Sequence, residues 1–109
     1  MKISETDEFK KDFKKLSKVY RTLPQDFEIA KKAILANPKG NGSKHWNLLK
    51  SQEEVYILKM RMMCRAVKGA SFRLIYLYNQ AKIELLFIEI YFKGIKQNED
   101  TERIKSIAW

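Results

Sequence analysis

A chain of 109 residues with 45% hydrophobic side chains makes one domain, residues 1–109, with apolar surface for one core but not for two. Its 22 lysines and arginines against 13 acids, a formal charge of +9, point to an anionic partner: nucleic acid, an acidic protein or a membrane surface. A single Cys64 and a single His45 exclude a disulfide framework, a thiolate zinc cluster, a histidine-rich metal site and a two-histidine ribonuclease site.

The opening "MKIS" is a short strand, and Thr6 followed by Asp7 and Glu8 predicts a helix start, with acids where the helix dipole favours them. Phe9, Phe13, Leu16 and Tyr20 then recur at helical spacing, while Lys10 to Lys18 fall mostly on other faces. Thr22 with Pro24 begins a second helix whose stripe is Leu23, Phe27, Ala30 and Ile34, and Asn37-Pro38 ends it. A link this short predicts an antiparallel helix hairpin. "KGNGSKH" is loop, and its Asn41-Gly42 is a turn rather than a working glycosylation sequon.

From Val55 the period changes to two. "VYILKMRMM" puts Tyr56, Leu58, Met60 and Met62 on one face and Val55, Ile57, Lys59 and Arg61 on the other. "CRAVKGA" is a basic turn. "SFRLIYLYN" then sets Phe72, Leu74, Tyr76 and Tyr78 against Arg73, Ile75 and Leu77. In "KIELLFIEIYFK" strict alternation puts Glu84, Leu86, Ile88, Ile90 and Phe92 on one face and Ile83, Leu85, Phe87, Glu89, Tyr91 and Lys93 on the other. Three such runs with short links predict an antiparallel meander. Asn98 with Glu99, Asp100 and Glu102 opens a last short helix whose Ile104 and Ile107 can dock. No apolar run approaches the roughly 18 residues of a membrane span and the first residues lack a signal-peptide core, so the cytoplasm is the expected location.

Charge is concentrated: residues 39–73 hold eight cations and two acids. If the apolar strand faces pack on the hairpin, Lys59, Arg61, Arg73, Tyr91 and Lys93 share the opposite surface, unless a bulge flips a strand end. Glu84 and Glu89, an odd number apart, fall on opposite faces, which argues against a paired-carboxylate site. Cleavage of RNA by attack of its own 2′-hydroxyl needs loss of the 2′ proton, stabilisation of the phosphorane and a partner for the departing 5′-oxygen. Guanidinium and ammonium groups supply the second need, a lysine crowded by cations is a conceivable base, and a tyrosine can relay protons or stack on a base. Pattern alone leaves this reading beside a plainer one, the solvated face of a half-exposed sheet.

"FKKDFKKLSKVYRTLPQDF" and the series "VYILKMR", "SFRLIY", "IEIYFKG" and "NEDTERI" together resemble the RelE/ParE superfamily of toxins from bacterial type II toxin–antitoxin systems, over nearly the entire chain. The resemblance implies an α+β fold: an N-terminal strand and antiparallel helix hairpin packed on a twisted, mainly antiparallel sheet, with a short C-terminal helix. It implies a ribosome-dependent endoribonuclease that cuts translated mRNA without metal or cofactor. It also implies a cognate antitoxin rich in acidic and apolar residues, and hence a toxin–antitoxin hetero-oligomer. Lys59 matches a family lysine implicated in catalysis, Arg73 the arginine that contacts the scissile phosphate, and Lys93 a further arginine. Tyr91 lies near positions that hold catalytic aromatic or histidine residues in related toxins. Two departures stand out: Ile57 occupies the place of a second lysine in RelE, and the last helix lacks RelE's tyrosine. Arg61, Arg65, Lys68 and His45 are candidate contacts to RNA or the ribosome; the plainer accounts are pairing with solvent or Glu53 for Arg61, loop solvation for Arg65 and Lys68, and a surface role for His45. A gyrase-type inhibitor, as among ParE members, and a non-toxic basic RNA-binding module are the alternatives.

Overall fold

The structure is a computed structural model that describes residues 1–69 and 71–107. It is α+β, in the chain order β1 (Lys2–Glu5), α1 (Asp7–Val19), α2 (Leu23–Ala36), β2 (Trp46–Gln52), β3 (Val55–Met62), β4 (Phe72–Asn79), β5 (Glu84–Phe92) and α3 (Thr101–Ser106). The five strands form one sheet in the order β1-β5-β4-β3-β2. Four strands make an antiparallel meander, and β1 lies parallel to β5 at one edge.

Helix α1 starts where expected, because the Thr6 hydroxyl accepts the orphan amide of Phe9 at 3.1 Å. At α2 the expected Thr22 and Pro24 are in place, but Thr22 makes no side-chain cap. Its hydroxyl accepts the Ala66 amide instead, at 3.0 Å, tying the β3–β4 turn to the helix. The turn is further held by Asp26, which is buried and accepts from Arg65 N at 2.9 Å and Arg65 Nε at 2.8 Å. Asn41-Gly42 is the expected turn: Gly42 has φ 80°, and the Asn41 side chain accepts the Ser43 amide. Among the described residues, no helix is long and apolar enough to cross a membrane.

The hairpin packs on one sheet face. Phe9, Leu23, Phe27 and Ile34 meet Leu58, Met60, Met62, Phe72, Leu74 and Tyr76 there, as alternation along β3 and β4 predicts. Strand β5 departs from the expected parity. Ile75 pairs with Glu89 but Tyr76 pairs with Phe87, which leaves Ile88 as a bulge. Below the bulge Leu85 and Phe87 face the helices; above it Ile90 and Phe92 do. Leu86 and Ile88 therefore join the opposite face, contrary to strict alternation, and the bulge also carries Glu84 and Glu89 to the same side. The Ile88 carbonyl is satisfied by the Thr6 hydroxyl and Arg103 Nη1, each at 3.3 Å.

Two further differences come from backbone chemistry. Ile83 is a turn residue with φ 54°, so β5 starts one residue later than its apolar run suggests. Asp100, not Asn98, caps α3, accepting the amides of Glu102 and Arg103. The helix lies against the sheet face opposite the hairpin, where Ile104 and Ile107 cover a second cluster of Ile57, Ile75, Leu77, Ile88 and Tyr91. Among the described residues, that cover divides the outer face into an apolar half under α3 and a charged half beside it.

Candidate active site

The charged half is built by strand parity. Lys59 and Arg61 project from β3, and in register across the ladder Lys59 pairs with Ile75 and Arg61 with Arg73. Arg73 in turn pairs with Tyr91 of β5, and Lys93 follows the end of that strand. On the far side, β2 pairs Asn47 with Lys59, and the Arg61 amide donates to the His45 carbonyl at 2.8 Å. Lys44, His45, Trp46, Asn47, Lys59, Arg61, Arg73 and Lys93 thereby line one cavity of about 360 Å³.

Its electrostatics are one-sided. Among the described residues, no lining side chain is an acid. Arg61 and Arg73 are like charges directly opposite each other, a cross-strand pair that costs stability. Burial first, and the Arg61 charge second, push the Arg73 guanidinium below its ordinary pKa, against a smaller opposing effect of Tyr91. Arg73 is partly buried and donates to the Phe72 carbonyl at 3.1 Å, which fixes the guanidinium near its own strand.

The C-terminal segment reaches the cluster from outside the cavity lining. Lys59 Nζ donates to Glu99 Oε1 at 2.8 Å, and Lys93 Nζ donates to the Gln97 carbonyl. Burial would raise the Glu99 carboxyl. The Lys59 hydrogen bond, the residue's own backbone amide and the charges of Lys59 and Lys93 outweigh it and hold Glu99 below the usual carboxylate range. Segment 96–100 is anchored on Glu89, which is only 2% exposed and accepts from Asp100 N at 2.8 Å and from Lys96 Nζ.

The residues singled out in the sequence separate into three groups. Lys59, Arg61, Arg73, Lys93 and His45 come together around the cavity. Tyr91 is on the same face but only 4% exposed, inside the second cluster, and its hydroxyl has no hydrogen-bond partner among the described residues. Burial, with the charges of Glu99 and Glu89, pushes its pKa up to about 12, so it is neutral at physiological pH. Arg65 and Lys68 lie in the β3–β4 turn away from the cavity lining; Arg65 is engaged by Asp26 and Gln25, and Lys68 is exposed. Ile57 is fully buried in the second cluster, so the side chain at this position meets hydrocarbon rather than the cavity.

Sequence reasoning missed Lys44 and Asn47 because β2 gave no period-two signal, and it read Glu99 only as a helix-start acid. Trp46 packs against the core and donates from its indole to the Tyr76 hydroxyl at 3.0 Å. Tyr76 passes the chain on to the Pro38 carbonyl at 2.8 Å, which ties the loop before β2 to the core. Among the described residues, no group of three or more His, Cys, Asp or Glu side chains is placed to hold a metal.

The arrangement is a RelE-type fold with a basic cavity on its outer sheet face. Among solved structures, the chain is similar to one described as the crystal structure of archaeal RelE–RelB complex from Pyrococcus horikoshii OT3. The TM-score is 0.61, and the match covers 87% of this chain and 97% of that one at 13% sequence identity. No family model and no curated protein sequence matches.

Proposed function

We propose that this protein is the toxin of a type II toxin–antitoxin pair and that it cuts translated mRNA on the ribosome. The observation that carries this reading is the in-register pairing of Arg61 with Arg73, beside Lys59 and Lys93, on one partly enclosed surface. Two guanidiniums in register across the ladder present donors of the kind that a phosphodiester accepts from, in a fixed and matching geometry. Arg73, the more buried of the two, is the contact to the scissile phosphate; Arg61 shares the charge that gathers on the phosphorane oxygens. His45 and Lys44 extend the donor surface along the RNA backbone. Lys68 and the exposed end of Arg65 add long-range attraction to the ribosome. The RelE-type fold, seen in a solved complex of RelE with RelB, supports a small antitoxin partner for this chain, with acids to meet the cation cluster.

Induction of the protein in a bacterial host, followed by mapping of transcript 5′ ends, tests the reading. New ends inside translated reading frames are expected within minutes of growth arrest, and none with Arg73→Ala. Growth arrest with intact transcripts and DNA-damage signalling would instead favour a gyrase-type target.

A further inference from the structure

The cluster contains one contact that RNA binding alone does not call for. A carboxylate beside a phosphate site repels the substrate, yet Glu99 lies 2.8 Å from Lys59 with its side chain only 15% exposed. It does not arrive there by fraying of the chain end. Asp100 caps α3 immediately after it, and the Asp100 amide is fixed to the buried carboxylate of Glu89. A buried anchor, an adjacent helix cap and an ion pair together set one carboxylate on one lysine.

Resting on the ribonuclease reading, we propose that Glu99 is a positioning residue for catalysis, holding Lys59 as an oriented ammonium so that Lys59 serves as a proton donor and not as a base. The groups facing Lys59 decide the matter. Arg61 on its own strand, Arg73 on β4, Lys93 after β5, and Lys44 and His45 before β2 are cationic or neutral, and Tyr91 is neutral. Among the described residues, Glu99 is the acid bonded to Lys59, and Glu89, two strands away on the same sheet face, is held by Lys96 and the Asp100 amide. Without Glu99, four neighbouring cations would favour the free amine.

The chemistry then balances. The 2′-hydroxyl gives its proton to water as its oxygen bonds to phosphorus. The bond from phosphorus to the 5′-oxygen breaks, that oxygen takes a proton from Lys59, and water returns one to the amine. The products are a 2′,3′-cyclic phosphate and a 5′-hydroxyl, with no net proton consumed.

The sign of one substitution distinguishes donor from base. Glu99→Gln keeps the side-chain shape and removes the charge, and it is compared with wild type and with Glu102→Gln, an exposed control. Single-turnover cutting of mRNA on programmed ribosomes is followed from pH 6 to pH 9, with ¹³C NMR of the Lys59 side chain over the same range. The expected result is a cutting rate below that of wild type, with a deficit that widens from pH 6 to pH 9. Binding to the ribosome should be unchanged, the alkaline limb of the pH profile should move to lower pH, and the Lys59 resonance should titrate earlier. Glu99→Asp should recover part of the rate, and Glu102→Gln should match wild type. A Glu99→Gln enzyme that cuts as fast as wild type, or faster, overturns the proposal and leaves the ribonuclease reading standing, with Lys59 as base behind an acidic gate. An unaltered Lys59 titration also overturns it. Wild type that cuts nothing sinks the ribonuclease reading and this proposal with it, whereas the other outcomes separate the two.

Discussion

Asp26→Asn is the substitution whose cost can best be reasoned from the fold. The carboxylate is 5% exposed and accepts two bonds from Arg65, one from the backbone amide at 2.9 Å and one from Nε at 2.8 Å. A charged hydrogen bond contributes about 1.5–3 kcal/mol. The Arg65 side chain is 61% exposed, so its share belongs at or below the low end. An asparagine keeps one acceptor and turns an amide donor toward the other. The expected loss is about 3 kcal/mol, or about 12 °C in Tm for a domain of this size. Burial would raise the Asp26 carboxyl, but the Arg65 amide, Thr22, the Arg65 side chain and Cys64 outweigh it and lower its pKa in the fold. A depressed carboxylate stabilises above its unfolded pKa, and that contribution disappears as pH falls through the folded value. The gap between wild type and Asp26→Asn should therefore be constant from pH 7 to pH 5 and close below about pH 4. Chemical denaturation at pH 7 and pH 3 measures it. A difference under about 0.5 kcal/mol at pH 7, the range of an ordinary surface change, would refute the assignment.

Three other changes probe the fold around the site. Ile57→Lys would put an ammonium among Ile75, Leu77 and Ile88. It should lower stability by about 3 kcal/mol or more in urea unfolding without raising the cutting rate. Ile83→Gly relieves a β-branched residue at φ 54° in an exposed turn and should raise stability by a few tenths to about 1 kcal/mol, read as an increase in Tm. Trp46→Phe removes the indole bond to Tyr76 and should cost about 1 kcal/mol by the same denaturation assay.

Most of the scaffold was legible in the residues. Thr6 and the Thr22-Pro24 pair located both long helices, and alternation in "VYILKMRMM" and "SFRLIYLYN" put Lys59, Arg61 and Arg73 on the face opposite the hairpin. Strand β2 was not legible, because the register slips between Leu48 and Lys50 and breaks its alternation. Its turn into β3 also uses Glu53 at φ 55° in place of the glycine or asparagine that marks such a turn. The bulge at Ile88 was equally silent: an all-aliphatic run gives no sign of which residue is extra. The Glu99 contact lay deeper still. Lys59 and Glu99 are 40 positions apart, and their meeting depends on α3 crossing the outer face and on Glu89 holding the segment that leads to it.

The reading of this fold as a ribonuclease is tested most directly by incubating purified protein with ribosomes paused on a defined mRNA and determining the ends it leaves. The account predicts cutting of the ribosome-bound mRNA that leaves a 2′,3′-cyclic phosphate and a 5′-hydroxyl. With Arg73→Ala, which should fold normally, cutting should be lost by at least about 10²-fold. Intact mRNA with wild-type protein bound to the ribosome, or equal cutting by Arg73→Ala, would contradict it.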